Sequence, residues 1–155
     1  MKKNQQRRSD CPINFSLETF GDTWSLLIIR DMVYFGKKTY GEFLESDEKI
    51  ASNILASRLA HLEQTGILVK KPLATDKRRE IYTLTEKGLD LIPILLEMAN
   101  WGAKHDPQTG APPVWIALVK ADRERIVGLI REAVREGRSI FVGEDSVFNR
   151  LLAES

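Results

Sequence analysis

At 155 residues, with 23 Lys or Arg against 22 Asp or Glu and a formal charge of +1, the chain is long enough to bury one real core and too evenly charged to act as a general polycation. One cysteine excludes an intrachain disulfide, and no Cys/His cluster of metal type is present. No apolar stretch follows the N-terminal charges and no run of about 18 apolar residues occurs, so a soluble cytoplasmic protein without cofactor or metal is expected.

Charge is concentrated rather than spread. Residues 1–8 carry Lys2, Lys3, Arg7 and Arg8 with no acid, and residues 1–10 read as a flexible basic arm, either solubilising or in contact with phosphates. Ile13, Leu17 and Phe20 recur at i, i+4 and i+7 and predict a short amphipathic helix that Gly21 ends. Asp22 suits the cap of the next helix, Thr23 to about Tyr34, which is apolar on most sides and therefore the buried central helix, stopped by Gly36. Thr39 caps a helix through Glu45 with Tyr40, Phe43 and Leu44 facing inward, and residues 46–50 form a turn.

The helix predicted over Ala51–Thr65 has an unusual outer face. With Leu55 at zero and 100° per residue, Ala51, Leu59 and Leu62 fall within about 40° of it, while Asn53, Ser57, Ala60 and Gln64 cluster opposite. Surface helices ordinarily carry long Glu and Lys side chains there. Short polar groups instead allow close approach, either to a partner chain or to the major groove of DNA, which admits a helix. After Gly66, Ile67–Leu73 and Glu80–Leu84 read as strands joined by a basic turn. Lys70 to Arg79 holds five basic residues against one acid, and the tip with Lys77, Arg78 and Arg79 is either a solvated face or a phosphate footprint. Helix, helix, strand, basic turn, strand is the order of a winged helix-turn-helix: a mainly α fold with a small β-hairpin, its second helix reading bases and its wing on the backbone. Ser52, Asn53, Ser57 and Arg58 are the candidate base readers, and Lys77, Arg78 and Arg79 the phosphate contacts.

At this point the chain resembles a family. Cys11-Pro12-Ile13, Gly21-Asp22-Thr23-Trp24 followed by Leu26-Leu27-Ile28-Ile29-Arg30-Asp31, then Leu55, Arg58-Leu59, Leu62-Glu63 and Gly66-Ile67, and Tyr82 through Gly88 with Trp101-Gly102, are similar to the HxlR-type bacterial and archaeal transcription regulators. The likeness covers roughly residues 10–106. It implies a homodimeric, winged-helix, DNA-binding protein of the cytoplasm, more distantly related to MarR regulators, on double-stranded DNA. Two departures stand out. Thr39-Tyr40 replaces the family's usual basic-aromatic pair, leaving Lys38 and Thr39 as candidates for backbone contact, and the wing tip Asp76-Lys77-Arg78 is more like that of MarR-type proteins. The resemblance also makes Cys11 a candidate redox or electrophile sensor, and a small-molecule or electrophile effector a possible partner, against the alternative of a small buried residue.

Thr85 caps a helix reaching about His105, with Leu89, Ile92, Leu96, Ala99 and Trp101 as its apolar side and Pro93 bending or breaking it. The resemblance gives this helix and the N-terminal one to the dimer. Residues 11–106 form the predicted DNA-binding and dimerisation domain, and residues 107–155 a mostly helical extension. A turn-forming stretch, DPQTGAPP, opens the extension, followed by an amphipathic helix over Ala121–Gly137, a short strand over Ile140–Val142 and a terminal helical turn over Val147–Leu152. The extension is a second dimer contact, a lid on the domain or part of an effector pocket, of which added dimer packing is favoured. Catalysis is not expected: Cys11 follows Asp10, no positioned base accompanies it, and no Gly-rich phosphate loop is present. The alternative to a transcription regulator is a winged helix that binds a protein partner, whose mark would be apolar or acidic residues on the outer face of the second helix.

Overall fold

Pro12 presets the first turn of α1 (Pro12–Phe20) and Gly21 closes it, in the computed structural model, which describes residues 7–155. Only Phe20 of the predicted stripe packs on the core; Ile13 and Leu17 are 70% and 54% exposed. The central helix is α2 (Ser25–Phe35), with Ile28, Ile29, Met32 and Val33 buried. Asp22 serves its start as expected, accepting from the Trp24 and Ser25 amides at 3.0 and 2.9 Å, although the regular helix begins later than Thr23. Gly36 ends it in the left-handed region at φ 68°, where a side chain would be strained.

α3 (Tyr40–Leu44) starts where the Thr39 hydroxyl accepts from the Glu42 amide at 3.2 Å. Phe43 is buried, but Tyr40 is exposed rather than inward, because its hydroxyl donates to the Ser52 carbonyl (2.9 Å) and ties α3 to the start of α4 (Ser52–Gln64). Leu55, Leu59 and Leu62 of α4 are buried. Ala51, placed by periodicity on that face, is the exposed extended residue ahead of the helix.

β1 (Leu68–Leu73) and β2 (Asp76–Leu84) form an antiparallel hairpin with Leu68 opposite Leu84 and Leu73 opposite Asp76. The expected basic turn is corrected: the turn is Ala74-Thr75, and the basic residues lie on the second strand. Pro72 pairs with Glu80 and Leu73 with Asp76, so the register breaks and Lys77, Arg78 and Arg79 are left over as a bulge. Pro72 has no N–H to give the ladder, a natural place for such a break.

Thr85 caps α5 (Glu86–Leu89), and the chain restarts as α6 (Ile92–His105), so the predicted break falls at Asp90-Leu91 with Pro93 in the first turn of α6, where its missing N–H costs nothing. Leu89, Ile92, Leu95 and Leu96 face the core, whereas Trp101, expected on that side, is 68% exposed.

The C-terminal residues build α7 (Pro113–Ala121), α8 (Arg123–Arg135) and α9 (Val147–Ala153). The first of these has no counterpart among the predicted elements, since the Gly- and Pro-rich stretch before it reads only as turn. Ile126, Ile130 and Ala133 of α8 join Trp115, Ile140, Val147 and Leu151 in one hydrophobic core with α2 and α6. The stripe expected at a subunit contact is therefore covered by its own chain. Residues 140–142 form no strand: the Ile140 and Phe141 amides donate to the Val33 and Tyr34 carbonyls, each at 3.0 Å, and so satisfy orphan carbonyls at the end of α2. Arg123 meets Glu97 at 2.7 Å, and Arg135 meets both oxygens of Glu86 at 2.9 and 2.7 Å, joining α8 to α6 and α5.

Candidate nucleic-acid interface

The two faces of α4 differ as the helical period requires. Leu55, Leu59 and Leu62 are buried, while Ser52, Asn53 and Ser57 are exposed. Ser52 and Asn53 keep their short side chains exposed near its N-terminal end, so base edges or any other polar surface can approach them. Arg58 is placed differently. Its Nη1 lies 3.6 Å from Asp22 Oδ1 and its Nη2 donates to Ser57 Oγ at 3.3 Å, so the guanidinium leans toward the start of α2. Burial raises the Asp22 carboxyl, but the Ser25 hydroxyl, the Trp24 and Ser25 amides and Arg58 outweigh it, and the group titrates below its usual range. His61 also turns from the exposed face: its Nε2–H donates to the Thr19 carbonyl at 2.7 Å.

Lys77, Arg78 and Arg79 are exposed, and among the described residues none of them meets a carboxylate; Lys70, lower on the hairpin, lies 3.6 Å from Glu80. The Arg78 amide donates to Asp76 Oδ1 at 3.1 Å, which orders the bulge. A free basic triplet on an exposed bulge is available to phosphate in a way that an internally paired one is not. Thr39 lies at the start of α3, with its hydroxyl occupied as the helix cap. Lys38 is half-buried and its ammonium donates to the Gly137 carbonyl of the extension at 3.3 Å, which takes it from the place expected of it beside the helix-turn-helix. Of the basic arm, Lys2 and Lys3 lie outside the described residues. Arg8 meets Glu18 at 3.1 Å and Asn14 at 2.7 Å, and Arg7 lies 3.8 Å from Asp10. Cys11 stands exposed at the cap position of α1.

The turn between α3 and α4 is held by a network that sequence reasoning missed. Buried Asp31 accepts from the Ser46 hydroxyl and from Arg30 Nη2 (2.8 Å), Lys37 Nζ donates to Ser46 Oγ (2.8 Å), and Arg30 clasps both Glu48 oxygens. Its guanidinium holds the Glu48 carboxyl down at about 2. Within the turn Lys49 adopts φ 55°, unusual for a lysine, and its amide donates to the Ser46 carbonyl at 2.9 Å. The available signal was the charged pair Arg30-Asp31 inside an otherwise apolar helix: a buried carboxylate requires partners, and these fix the angle at which α4 leaves α3.

Known proteins share this core. An HTH-type transcriptional regulator of Mycobacterium tuberculosis is 34% identical over 99 residues, 64% of this chain and 61% of the relative, so the match spans about three fifths of that protein's length. YodB, an HTH-type transcriptional regulator of Bacillus subtilis, is 36% identical over 59% of this chain and 81% of its own. Among solved structures, PA1607 has a TM-score of 0.61 at 35% identity, covering 68% of this chain and 74% of that one. The redox regulator HypR in its oxidized form has a TM-score of 0.55 at 33% identity, covering 61% and 96%. Residues 19–109, more than half the chain, match the family described as HxlR-like helix-turn-helix, and with the winged fold above this chain belongs to that family.

Proposed function

We propose that the protein is a transcription regulator of the cytoplasm that binds double-stranded DNA as a homodimer, with α4 in the major groove and the bulged wing on the backbone. The observation that carries this reading is the pairing of an exposed, short-chained polar face on α4 with an exposed basic triplet on β2 whose side chains form no ion pair among the described residues. A surface built for a protein partner would instead show apolar or acidic groups on α4. Ser52, Asn53 and Ser57 read bases; Lys77, Arg78 and Arg79, with Thr39, hold phosphates. Arg58 joins them only by leaving Asp22, and Lys38 only by leaving Gly137.

Homodimerisation is supported by the apolar surface that the single chain leaves uncovered, Ile13, Phe15 and Leu17 on α1 and Met98 and Trp101 on α6, all more than half exposed. A twofold dimer sets two copies of α4 about one DNA turn, or a multiple of it, apart, so the operator is an inverted repeat with half-sites in roughly 10 bp steps. Response to oxidants or electrophiles through exposed Cys11 is a further part of the proposal, since HypR is a redox regulator and YodB has been solved bound to a quinone. With one cysteine per chain, an oxidised thiol is resolved only between subunits or with a small thiol.

A gel-shift with the DNA upstream of the protein's own gene, at two salt concentrations, tests the reading. Retardation that weakens steeply with salt and exceeds that of a scrambled duplex is expected; no retardation of any duplex at low salt overturns it.

A further inference from the structure

Between the helix-turn-helix and the C-terminal extension lies a cleft of about 810 Å³, within the range of small-molecule sites. Its one side is the turn between α3 and α4, with Glu45, Ser46, Asp47 and Glu48; its other side comes from the extension, with Trp115, Ile116 and Phe141. The end of α2 adds Tyr34 and Phe35. Four aromatic rings thus cluster on this cleft: Tyr34 lies 5.8 Å from Phe141, Phe35 6.5 Å from Phe141, and Trp115 5.5 Å from Phe141, centroid to centroid. Two of them are incompletely satisfied, the Tyr34 hydroxyl and the Trp115 indole N–H being buried without a hydrogen-bond partner, which in a native core is uncommon and costly.

The charges around the cleft decide the class of ligand. Two cations, Arg30 and Lys37, face three carboxylates, Glu45, Asp47 and Glu48. Both cations are already engaged, Arg30 by Asp31 and Glu48 and Lys37 by Asp31 at 3.6 Å, with buried Asp31 behind them. Among the described residues Glu45 and Asp47 form no ion pair, and both line the cleft and are exposed. Aromatic faces carry negative potential and attract cations, more strongly where water is excluded. An anion would meet neither a free cation nor a favourable ring face.

We propose that this cleft is a binding site for an aromatic or lipophilic organic cation, its apolar body against Trp115, Phe141 and Phe35 and its charge toward Glu45 and Asp47. Because Glu45 to Glu48 belong to the turn that sets α4, a bound cation presses on the element that aims the recognition helix. That regulatory half rests on the DNA-binding reading; the site itself does not.

The test uses the chain of residues 1–155 and two probes of equal shape and opposite charge, tetraphenylphosphonium and tetraphenylborate, in isothermal titration calorimetry. Tetraphenylphosphonium is expected to bind saturably at one per chain and at least tenfold more tightly than the borate. The exposed double variant Glu45→Gln/Asp47→Asn should lose at least tenfold in phosphonium affinity, and Phe141→Ala should lose as much if it folds. Equal or tighter binding of the borate, an unchanged phosphonium affinity in the double variant, or no saturable binding of the phosphonium overturns the site. Adding the phosphonium to the gel-shift separates the two readings: a protein that binds the cation but no duplex retains the site and loses the DNA function, whereas DNA binding that the cation shifts severalfold in wild type and not in the double variant supports both.

Discussion

Asn53 and Arg78 are both exposed, yet their removal should fail in different ways. Asn53→Ala is expected to cost about 1 to 3 kcal/mol at the specific site and relax preference at one base, with little change on random DNA, because an amide side chain reads adenine through two hydrogen bonds. Arg78→Ala should weaken specific and random duplexes alike and lower the salt slope by about one unit per lost phosphate contact. Fluorescence anisotropy on the two duplexes across a salt series distinguishes the patterns; equal effects of both substitutions on both duplexes would contradict the assignment of base reader and phosphate holder. Cys11 is exposed at the cap of α1, so diamide or a quinone should release DNA from wild type and leave the complex of Cys11→Ser intact. Identical release from the two proteins would remove Cys11 from the proposal.

The helix-turn-helix angle depends on a clasp between elements, and the clasp titrates. Hydrogen bonding from Arg30 holds the Glu48 carboxyl at about 2, below its ordinary 4.5, so its contribution is present above about pH 4.5 and is lost as pH falls toward 2. Glu48→Gln should therefore lower the melting temperature at pH 7 by more than it does near pH 2.5, the gap closing only as pH falls through about 2; an equal gap at both pH values would contradict the clasp. The join of wing to α5 depends on a glycine: a Cβ on Gly88 would strike the Ile67 carbonyl and lie 2.9 Å from Leu84 Cδ2. Gly88→Ala should cost more than about 1 kcal/mol, a fall of about 2 to 4 °C or more in Tm for a chain of this size, and no fall would show that the strand end yields. These contacts mark what the sequence could and could not reveal. The buried faces of α2 and α4, the Thr39 and Thr85 caps and the break near Pro93 are local signals and are legible, whereas the stripe of α1 and the placing of Ala51 and Trp101 are not, because periodicity does not say which face the rest of the chain covers. The bulge that displaces Lys77 to Arg79 depends on pairing Pro72 with Glu80 across the hairpin, and Arg58 and Lys38 are diverted by Asp22 and Gly137, partners distant in sequence. Local reading has access to residue type and spacing and none to those competitors. Helix α7 was hidden by the turn-rich stretch ahead of it, and Trp115 within it closes the core.

At the scale of the molecule the extension is part of the core. Trp115, Ile126, Ile130, Ile140 and Leu151 are all nearly fully buried, and large apolar side chains contribute about 1.5 to 3 kcal/mol each when buried, against a total stability of about 5 to 15 kcal/mol. Deleting residues 107–155 should therefore leave a chain that aggregates or melts at much lower temperature; a truncated protein with unchanged Tm would show that the covered faces of α2 and α6 do not need it. The twofold arrangement and the reading role of α4 are tested together by selection from a duplex pool with a randomised central region, followed by sequencing of the bound fraction. Enriched inverted repeats are expected whose half-site centres are separated by about 10 bp or a multiple of it, with one enriched adenine lost when the selection is repeated with Asn53→Ala. A pool without enrichment, or one dominated by a single asymmetric site that Asn53→Ala enriches equally well, would contradict it.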